Sequence, residues 1–500
     1  MKMLIRGGWV ITSSGESRAI LRNGAVYVED DRIVDVGDRD LLSKTYHFDM
    51  EIGSTRSIVM PGFMNIHHHG KGVSTLQRGV ADEPLETRLV SYYEHKSDID
   101  TYDDALLAAA NEIETGVTTV LHHHYGIEPS SSQEYEDDLQ KAGKAWMDSG
   151  LRVAFAPFVE DQDEGGIGMI RAIEGESVLP PELRRREDRI STPERTEAYF
   201  RAAHALVDRL QGHEDRILIL LGPTGPNWCT DELLEKVKKT AQRLKIGIHT
   251  HLLETKYHQA YAFGRYGRSQ VEHLDRIGFL GPEVSCAHSV WVTEKDISIM
   301  ARTGCTVVHN ASSNLRLFSG IAPVLRMKEQ GVNVCMGTDA LGINDDEDFF
   351  QEIRLCSLLH REPGLDAKKL SSNQVLDMAS VAGSRAILSE GRVGEINKGM
   401  KADIILLRSD RILLPWGVSQ LPMTDLLISR AKSIDVDTVI VNGRILMKER
   451  RLITIDKSRL LQRIGEKMPS PREMKKEERE LKTWMSGIFR NLERRYPSRS

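Results

Sequence analysis

The sequence holds only five cysteines in 500 residues: Cys229, Cys286, Cys305, Cys335 and Cys356. Their number is odd and no paired spacing links them, so a disulfide framework is not expected; reduced cytosolic thiols are. Cys286, Cys305 and Cys335 sit in apolar strand-like runs and are read as core residues. Long apolar runs are missing too. None approaches the roughly 18 residues that span a bilayer, and ILILLG at 217–222 reads as a buried strand. The start, MKMLIRGGWVITSSGE, lacks the apolar region and cleavage pattern of a secretory signal, so a cytoplasmic location is expected. Positive charge is not in excess: 67 Lys and Arg against 73 Asp and Glu give −6, with a pI near 6.3. That leaves no global basic field for nucleic acid. The stretch KMPSPREMKKEERELK is charged but mixed in sign, as at a solvated helix start.

What is present is a globular composition, 40% hydrophobic and 28% charged, in a chain long enough for more than one domain. Both chain ends are β-rich: AVYVEDDRIVDVGD near the start, KADIILLRSDRILL and IDVDTVIVNGRILM near the end. Residues 1–58 and 388–455 are therefore assigned to one small β-sandwich domain. Between them, 59–387 alternates strand-like segments with helix patterns such as DELLEKVKKTAQRL. Eight strand-then-helix units predict parallel strands closed into a (β/α)8 TIM barrel. The barrel exceeds the roughly 250 residues usual for this fold. Its surplus falls at 160–197, polar and marked by Gly and Pro, after the third strand; a mobile lid and an inert excursion are both open. Residues 456–500 are assigned to a C-terminal helical extension, whose character changes after MPSP at 468–471. Leu481, Trp484, Met485, Ile488, Phe489 and Leu492 share one helix face there, for docking on the chain's own body or for a subunit contact, so a homo-oligomer stays open.

The chemistry lies at the strand ends. In VMPGFMNIHHHG, alternation puts His67 and His69 on one face and His68 on the other. A pair at that spacing, closing the first barrel strand, can grip one cation. KIGIHTHLLE ends the fifth strand with His251 and places Glu254 three residues on. EVSCAHS ends the sixth with His288, and VNVCMGTDA the eighth with Asp339. Four polar strand ends are hard to explain by packing, because each left unpaired costs about 1–3 kcal/mol. His249 shares a face with His251 and could replace it; His251 is preferred because Glu254 lies just beyond. His122 and His124, ending the second strand, are read as pocket-lining residues rather than ligands.

These segments together, PGFMNIHHHG, HTHLLET, CAHSVWV, VVHNASSNLRLFSGIAPV and GTDALGIND, resemble the amidohydrolase superfamily. The branch they are most similar to holds S-adenosylhomocysteine deaminase, guanine deaminase and the triazine hydrolases. The resemblance covers nearly the whole chain. It implies that His67, His69, His251 and Asp339 bind one divalent metal, zinc or, alternatively, iron. It also makes Glu254 a proton shuttle and His288 the group that steadies the attacking water or the developing charge. Two-metal members carry a bridging lysine at the end of the fourth strand, where this chain reads RILILLGPTGPNWC; one metal is expected.

Such a site implies a hydrolase of non-peptide C–N bonds. The leading expectation is an aminohydrolase acting on a small N-heterocycle or cyclic amidine through a metal-activated hydroxide, with Asp339 also serving as base. An exocyclic amide, urea, N-alkylamine or chlorinated triazine is the alternative substrate. A non-catalytic metal-binding barrel fits less well, because a structural site needs neither Glu254 nor His288. Gln77 after the first strand, and His309, Ser313 and Asn314 after the seventh, are the expected substrate contacts; Arg316 is read as solvent-facing. Two departures count against an adenosine-type substrate: Thr224 stands where purine deaminases of the branch have His after GP, and Ile343-Asn344-Asp345 replaces a common Ser-Asn-Asn.

Overall fold

The computed structural model describes residues 1–12, 18–95, 99–124, 132–162, 166–180, 193–346, 348–417, 420–467 and 475–495. Eight parallel strands run in chain order around one sheet: Phe63–His68, Val117–His124, Arg152–Val159, Ile217–Pro223, Gly247–Leu252, Val284–His288, Thr306–His309 and Asn333–Met336. The sheet closes just past its last strand. Asp339 N–H donates to His67 O at 2.9 Å and His69 N–H to Asp339 O at 2.7 Å. This is the (β/α)8 barrel, and its seam lies between the His67 and Asp339 segments. Gly337 permits that approach, since a Cβ there would lie 2.5 Å from Asn310 Oδ1 and 2.8 Å from His67 Cβ.

The strands are buried on both faces, as parallel strands under helices must be; Val117–His124 is buried throughout. Met64, Ile66, Leu121, Ala154, Ala156, Leu220, Val308 and Cys335 share one apolar cluster inside the barrel. The intervening helices take their ends from local chemistry. In Asp231–Leu244, the Thr230 side chain accepts from Leu233 N–H and Lys245 ends the helix in left-handed conformation. Leu233, Leu234, Val237 and Ala241 supply its buried face.

Both chain ends build the β layer, as the sequence suggests. Its eight strands form one continuous sheet in the order Arg451–Leu452, Arg444–Lys448, Val436–Val441, Ile404–Arg408, Met50–Pro61, Lys2–Ile11, Ile20–Glu29, Arg32–Asp38. The halves join where Ile404–Arg408 pairs antiparallel with Ser57–Pro61. Met3, Ile5, Val26, Val28, Ile404, Leu406 and Ile440 share its core. Two local readings change. The predicted run 58–69 is two strands, because Met50–Pro61 belongs to the β layer and Phe63–His68 to the barrel. The RILL that follows Ile404–Arg408 is a short helix, Asp410–Leu413.

Of the 160–197 surplus, residues 163–165 and 181–192 lie outside the described residues, as does MPSP. The described part holds helix Ile167–Glu174 and the start of Pro193–Leu210. The last helix, Lys476–Arg495, docks on the chain itself: Met485, Phe489 and Leu492 are buried against Met169, Ile170, Tyr257 and Tyr261. Half of the face that left a subunit contact open is thereby covered intramolecularly, while Leu481, Trp484 and Ile488 stay partly exposed. All five cysteines are buried and unpaired. No helix among the described residues is long and apolar enough to cross a membrane.

Candidate active site and metal centre

A bulge in the first strand sets the site. Asn65 pairs with Val120, but His68 pairs with His122, so the first strand carries one extra residue between these points. An extra residue re-aims the side chains beyond it. Ile66 stays in the apolar interior, while His67 joins the polar layer above and His69 follows on the same side. His68 turns outward, its Nε2 3.7 Å from Glu112 on the helix Thr101–Thr115.

The predicted groups from the first, fifth, sixth and eighth strands come together. The ring of His67 lies 4.9 Å from that of His69, 5.0 Å from His251 and 5.3 Å from His288. Asp339 Oδ1 is 3.4 Å from His67 Nε2 and 3.1 Å from His69 Nε2. Ligand atoms of His67, His288 and Asp339 lie within 4.8 Å of one another. His288 and Asp339 both hold a left-handed backbone, φ 71° each. Non-glycine residues there cost on the order of 1–3 kcal/mol, a strain typical of functional sites.

The hydrogen bonds fix which nitrogens face the centre. His69 Nδ1 lies 2.9 Å from the His123 carbonyl and His251 Nδ1 2.7 Å from the Thr224 carbonyl. A carbonyl only accepts, so each Nδ1 carries the proton and each Nε2 a lone pair. For His67 the same logic runs through a relay. Ser285 Oγ donates to the Ile248 carbonyl at 3.2 Å, so it accepts from His249 Nδ1 at 2.8 Å; His249 Nε2 then accepts from His67 Nδ1 at 2.8 Å. Both nitrogens of His249 are thereby engaged, and it orients His67 instead of competing with His251. Burial holds His67 and His249 well below the usual imidazole range and pushes His251 down to about 3. Neutral rings with Nδ1 tied outward are what a metal requires of histidine. His67 Nε2 and Asp339 Oδ1 are buried without a hydrogen-bond partner. Such orphans fit a cation between them, so the donor set suits one divalent ion.

Around these groups stand two others. Asp339 Oδ2 accepts from Ser313 Oγ at 2.6 Å. Burial would raise Asp339, but the His67 and His69 rings beside it hold it well below the carboxylate range. Glu254 behaves oppositely: burial, then the charges of Asp339 and Glu86, hold it well above that range. Its Oε2 is 3.8 Å from His288 Nε2. His288 Nδ1 donates to Asn314 Oδ1 at 2.9 Å, leaving Nε2 unprotonated.

Several expected roles need correction. Ser313 Oγ and Asn314 Oδ1 orient Asp339 and His288, so these two atoms are engaged away from a substrate, while Asn314 Nδ2 is buried without a hydrogen-bond partner. His309 faces away from the cavity, its Nε2 3.0 Å from His360 Nε2 behind the seventh strand. Gln77 is exposed on the turn Leu76–Arg78 and does not line the cavity. His122 and His124 point outward: Trp146 Nε1 donates to His122 Nδ1 at 2.6 Å, and His124 Nε2 to Asp138 at 2.7 Å. The inward residue of that triplet is His123, its ring 5.0 Å from His251 and its Nε2 bonded to the Gly222 carbonyl at 3.1 Å. Arg316 pairs with Asp82 at 2.7 Å.

A cavity of about 800 Å³ stands over the cluster. His69, His251, Glu254, His288 and Asp339 form its floor; Glu86, Arg88, Phe158, Thr224 and Trp228 stand in its walls. Sequence reasoning missed Glu86, Arg88, Phe158 and Trp228. Glu86 Oε1 accepts from Thr255 Oγ1 at 2.6 Å, Oε2 has no hydrogen-bond partner, and burial raises the carboxyl to about 7. Arg88 is buried, donating to Ala81 O at 2.7 Å and Thr75 Oγ1 at 2.6 Å. A Glu and an Arg on the helix Leu85–Glu94 look like ordinary surface residues in the sequence.

Comparison with known proteins agrees with the geometry. The Amidohydrolase family profile matches residues 58–446. A 5'-deoxyadenosine deaminase of Methanosarcina barkeri is 33% identical over 92% of this chain and 96% of its own. A 5-methylthioadenosine/S-adenosylhomocysteine deaminase of Halothermothrix orenii is 29% identical over 93% and 99%. An adenosine deaminase from Xanthomonas campestris, solved with bound zinc, shares the fold with a TM-score of 0.78, at 24% identity and 98% coverage of both chains. Profile, length of match and the order of strand-end ligands agree: the chain belongs to the amidohydrolase family.

Proposed function

We propose that this enzyme, a hydrolase of non-peptide C–N bonds, is an aminohydrolase of an adenine nucleoside, with His67, His69, His251 and Asp339 holding one divalent cation. Zinc is the expected ion, with iron as the alternative. The observation that carries the reading is the pairing, on one cavity floor, of three imidazoles presenting unprotonated Nε2 atoms with an ionised Asp339, opposite a protonated Glu254. A divalent ion there supplies the Lewis acidity that brings a water pKa from about 15.7 towards roughly 7.

The chain's own groups manage the protons. Asp339, held ionised by its neighbours, accepts the proton of the attacking water. His288 Nε2, aimed by Asn314, accepts a hydrogen bond from the same water and keeps its oxygen on the ring carbon. Glu254, kept protonated by burial, delivers its proton to the ring nitrogen, which lets the carbon become tetrahedral without building negative charge on the ring. Asp339 passes the proton taken from water to the exocyclic nitrogen, the C–N bond breaks and ammonia leaves, and the hydroxyl proton of the intermediate returns to Glu254 as the carbonyl forms. Thr224 cannot replace the expected histidine as a donor to the ring, since its hydroxyl is directed at the Val159 carbonyl, 3.1 Å away. Full-length likeness to two adenine-nucleoside deaminases nevertheless favours that substrate class over guanine or triazines. The buried, unpaired cysteines suit a reducing cytoplasm.

The test is ammonia release from purine, pyrimidine and triazine panels before and after chelation, with metal content measured in parallel. Release from adenine nucleosides, lost on chelation and regained with zinc or iron, is expected. Amine release from urea or anilide panels would favour the exocyclic alternative. No ammonia from any heterocycle by the metal-loaded enzyme rejects the proposal.

A further inference from the structure

The cavity is not closed by the barrel alone. Its outer wall is the last helix, Lys476–Arg495, which brings Leu481, Trp484 and Met485 to face Leu85, Leu89 and Ile167 across the space above the polar floor. Met485 is buried, whereas Leu481 and Trp484 keep part of their apolar surface open. An apolar wall that retains exposed area inside a cavity gains stability when a ligand covers it, by about 25 cal/mol per Å².

The helix is seated, not loosely laid. Lys482 Nζ reaches Glu83 at 2.8 Å and Ser91 Oγ at 2.7 Å, tying it to Leu85–Glu94. Glu493 pairs with Lys256 at 2.6 Å on the helix Lys256–Tyr266, which starts two residues after Glu254. Arg495 pairs with Glu174 at 2.8 Å on Ile167–Glu174. Three separate elements of the barrel mouth thus hold Trp484 at a defined position over the floor.

We infer that helix Lys476–Arg495 forms the tail subsite of this enzyme, with Trp484 as the specificity-determining residue for an apolar substituent on the substrate distal to the reacting ring. The substituent's chemical class is a neutral alkyl or thioether group, because Leu481, Met485, Leu85, Leu89 and Ile167 share this wall with Trp484, although Arg171, Glu477 and Glu480 line the same cavity. The inference rests on the deaminase reading for its ring and on the cavity wall for its tail. Binding energy gained there is spent on holding the ring over Glu254 and Asp339.

The test compares 5'-methylthioadenosine with adenosine, which share a ring and differ at the tail, in wild type, Trp484→Ala and Trp484→Phe. The expected result is a fall of about tenfold or more in the methylthio-to-hydroxyl ratio of kcat/KM for Trp484→Ala, carried by KM. Trp484→Phe should restore most of the ratio. Thermal melts identify a variant that has merely lost its fold, and Leu481→Ala then replaces it in the same comparison. An unchanged ratio, or an equal loss for both nucleosides, overturns the inference. A wild type that releases ammonia from neither nucleoside refutes the deaminase reading instead. The subsite is then decided by calorimetric Kd values for 5'-methylthioinosine and inosine, and equal values in wild type and Trp484→Ala overturn it.

Discussion

His67 shows how much of a ligand's character lies in its neighbours. Its Nδ1 proton goes to His249, whose own proton goes to Ser285. Ser285→Ala removes the end of that relay and releases His249 to turn or change tautomer. Zinc affinity is expected to fall about 10–100-fold, measured by competition with a chelating dye, and the metal-free protein should lose about 1–3 kcal/mol of stability because His249 Nδ1 loses its buried acceptor. Glu254 governs a pH dependence. Burial raises its pKa well above 4.5, so the acid form, the proton donor, is present below the raised value and lost as pH rises through it. kcat should therefore fall on the alkaline side. Glu254→Gln should remove that limb and lower kcat about 10²–10⁴-fold, which kcat–pH profiles of both proteins check. The residues legible in the sequence, His67, His69, His251, His288 and Asp339, lie at or just past the end of an apolar strand, and Glu254 follows His251 by three positions. His123 was not, because which member of a triplet faces inward depends on a register that the sequence does not print. Ser313 and Asn314 were legible as site residues, but their work is to aim Asp339 and His288.

At the level of elements, the second strand and the helix after it, Ser132–Ser149, are joined by Asp138, which accepts from His124 Nε2 at 2.7 Å and from Thr101 Oγ1. Burial would raise Asp138, but the His124 and Thr101 hydrogen bonds outweigh it and the pKa is lowered. A depressed carboxylate stabilises the fold above its unfolded value of about 3.9 and loses that contribution as pH falls through the folded value. Asp138→Asn should cost about 1.5–3 kcal/mol at neutral pH. The gap to wild type should stay constant from pH 7 to 5 and shrink below about pH 4, as urea unfolding across that range would show. Periodicity found the elements themselves, from the barrel strands to the terminal helix. It erred where one apolar run served two sheets: nothing in IVMPGFMNIHHH distinguishes the residues on either side of Gly62, which part company only because different partners claim them.

Across the whole molecule, one buried pair couples the barrel to the β layer. Arg152 opens the third barrel strand and bonds both oxygens of Asp403, at 2.7 and 3.1 Å, just before the strand Ile404–Arg408. Asn442 N–H donates to the same carboxylate at 2.7 Å. Arg152 and Asp403 are each less than 5% exposed. Asp403→Asn leaves a buried guanidinium without its counter-charge and should cost about 3–5 kcal/mol, read as a fall in Tm with the metal content of the folded fraction kept.

The sequence by itself determined the barrel, the β layer drawn from both ends, the ligand types and their order along the chain, because these follow from side-chain period and from which residues can bind a cation. Only the tertiary structure decided the rest. Barrel closure turned His123 inward in place of its neighbours, set His249 behind His67 and turned His309 away. Helices distant in sequence, Leu85–Glu94 and Lys476–Arg495, became walls of one cavity. The physical reason is that facing direction and proximity are properties of packed surfaces, and no local pattern carries the position of a surface contributed from elsewhere in the chain.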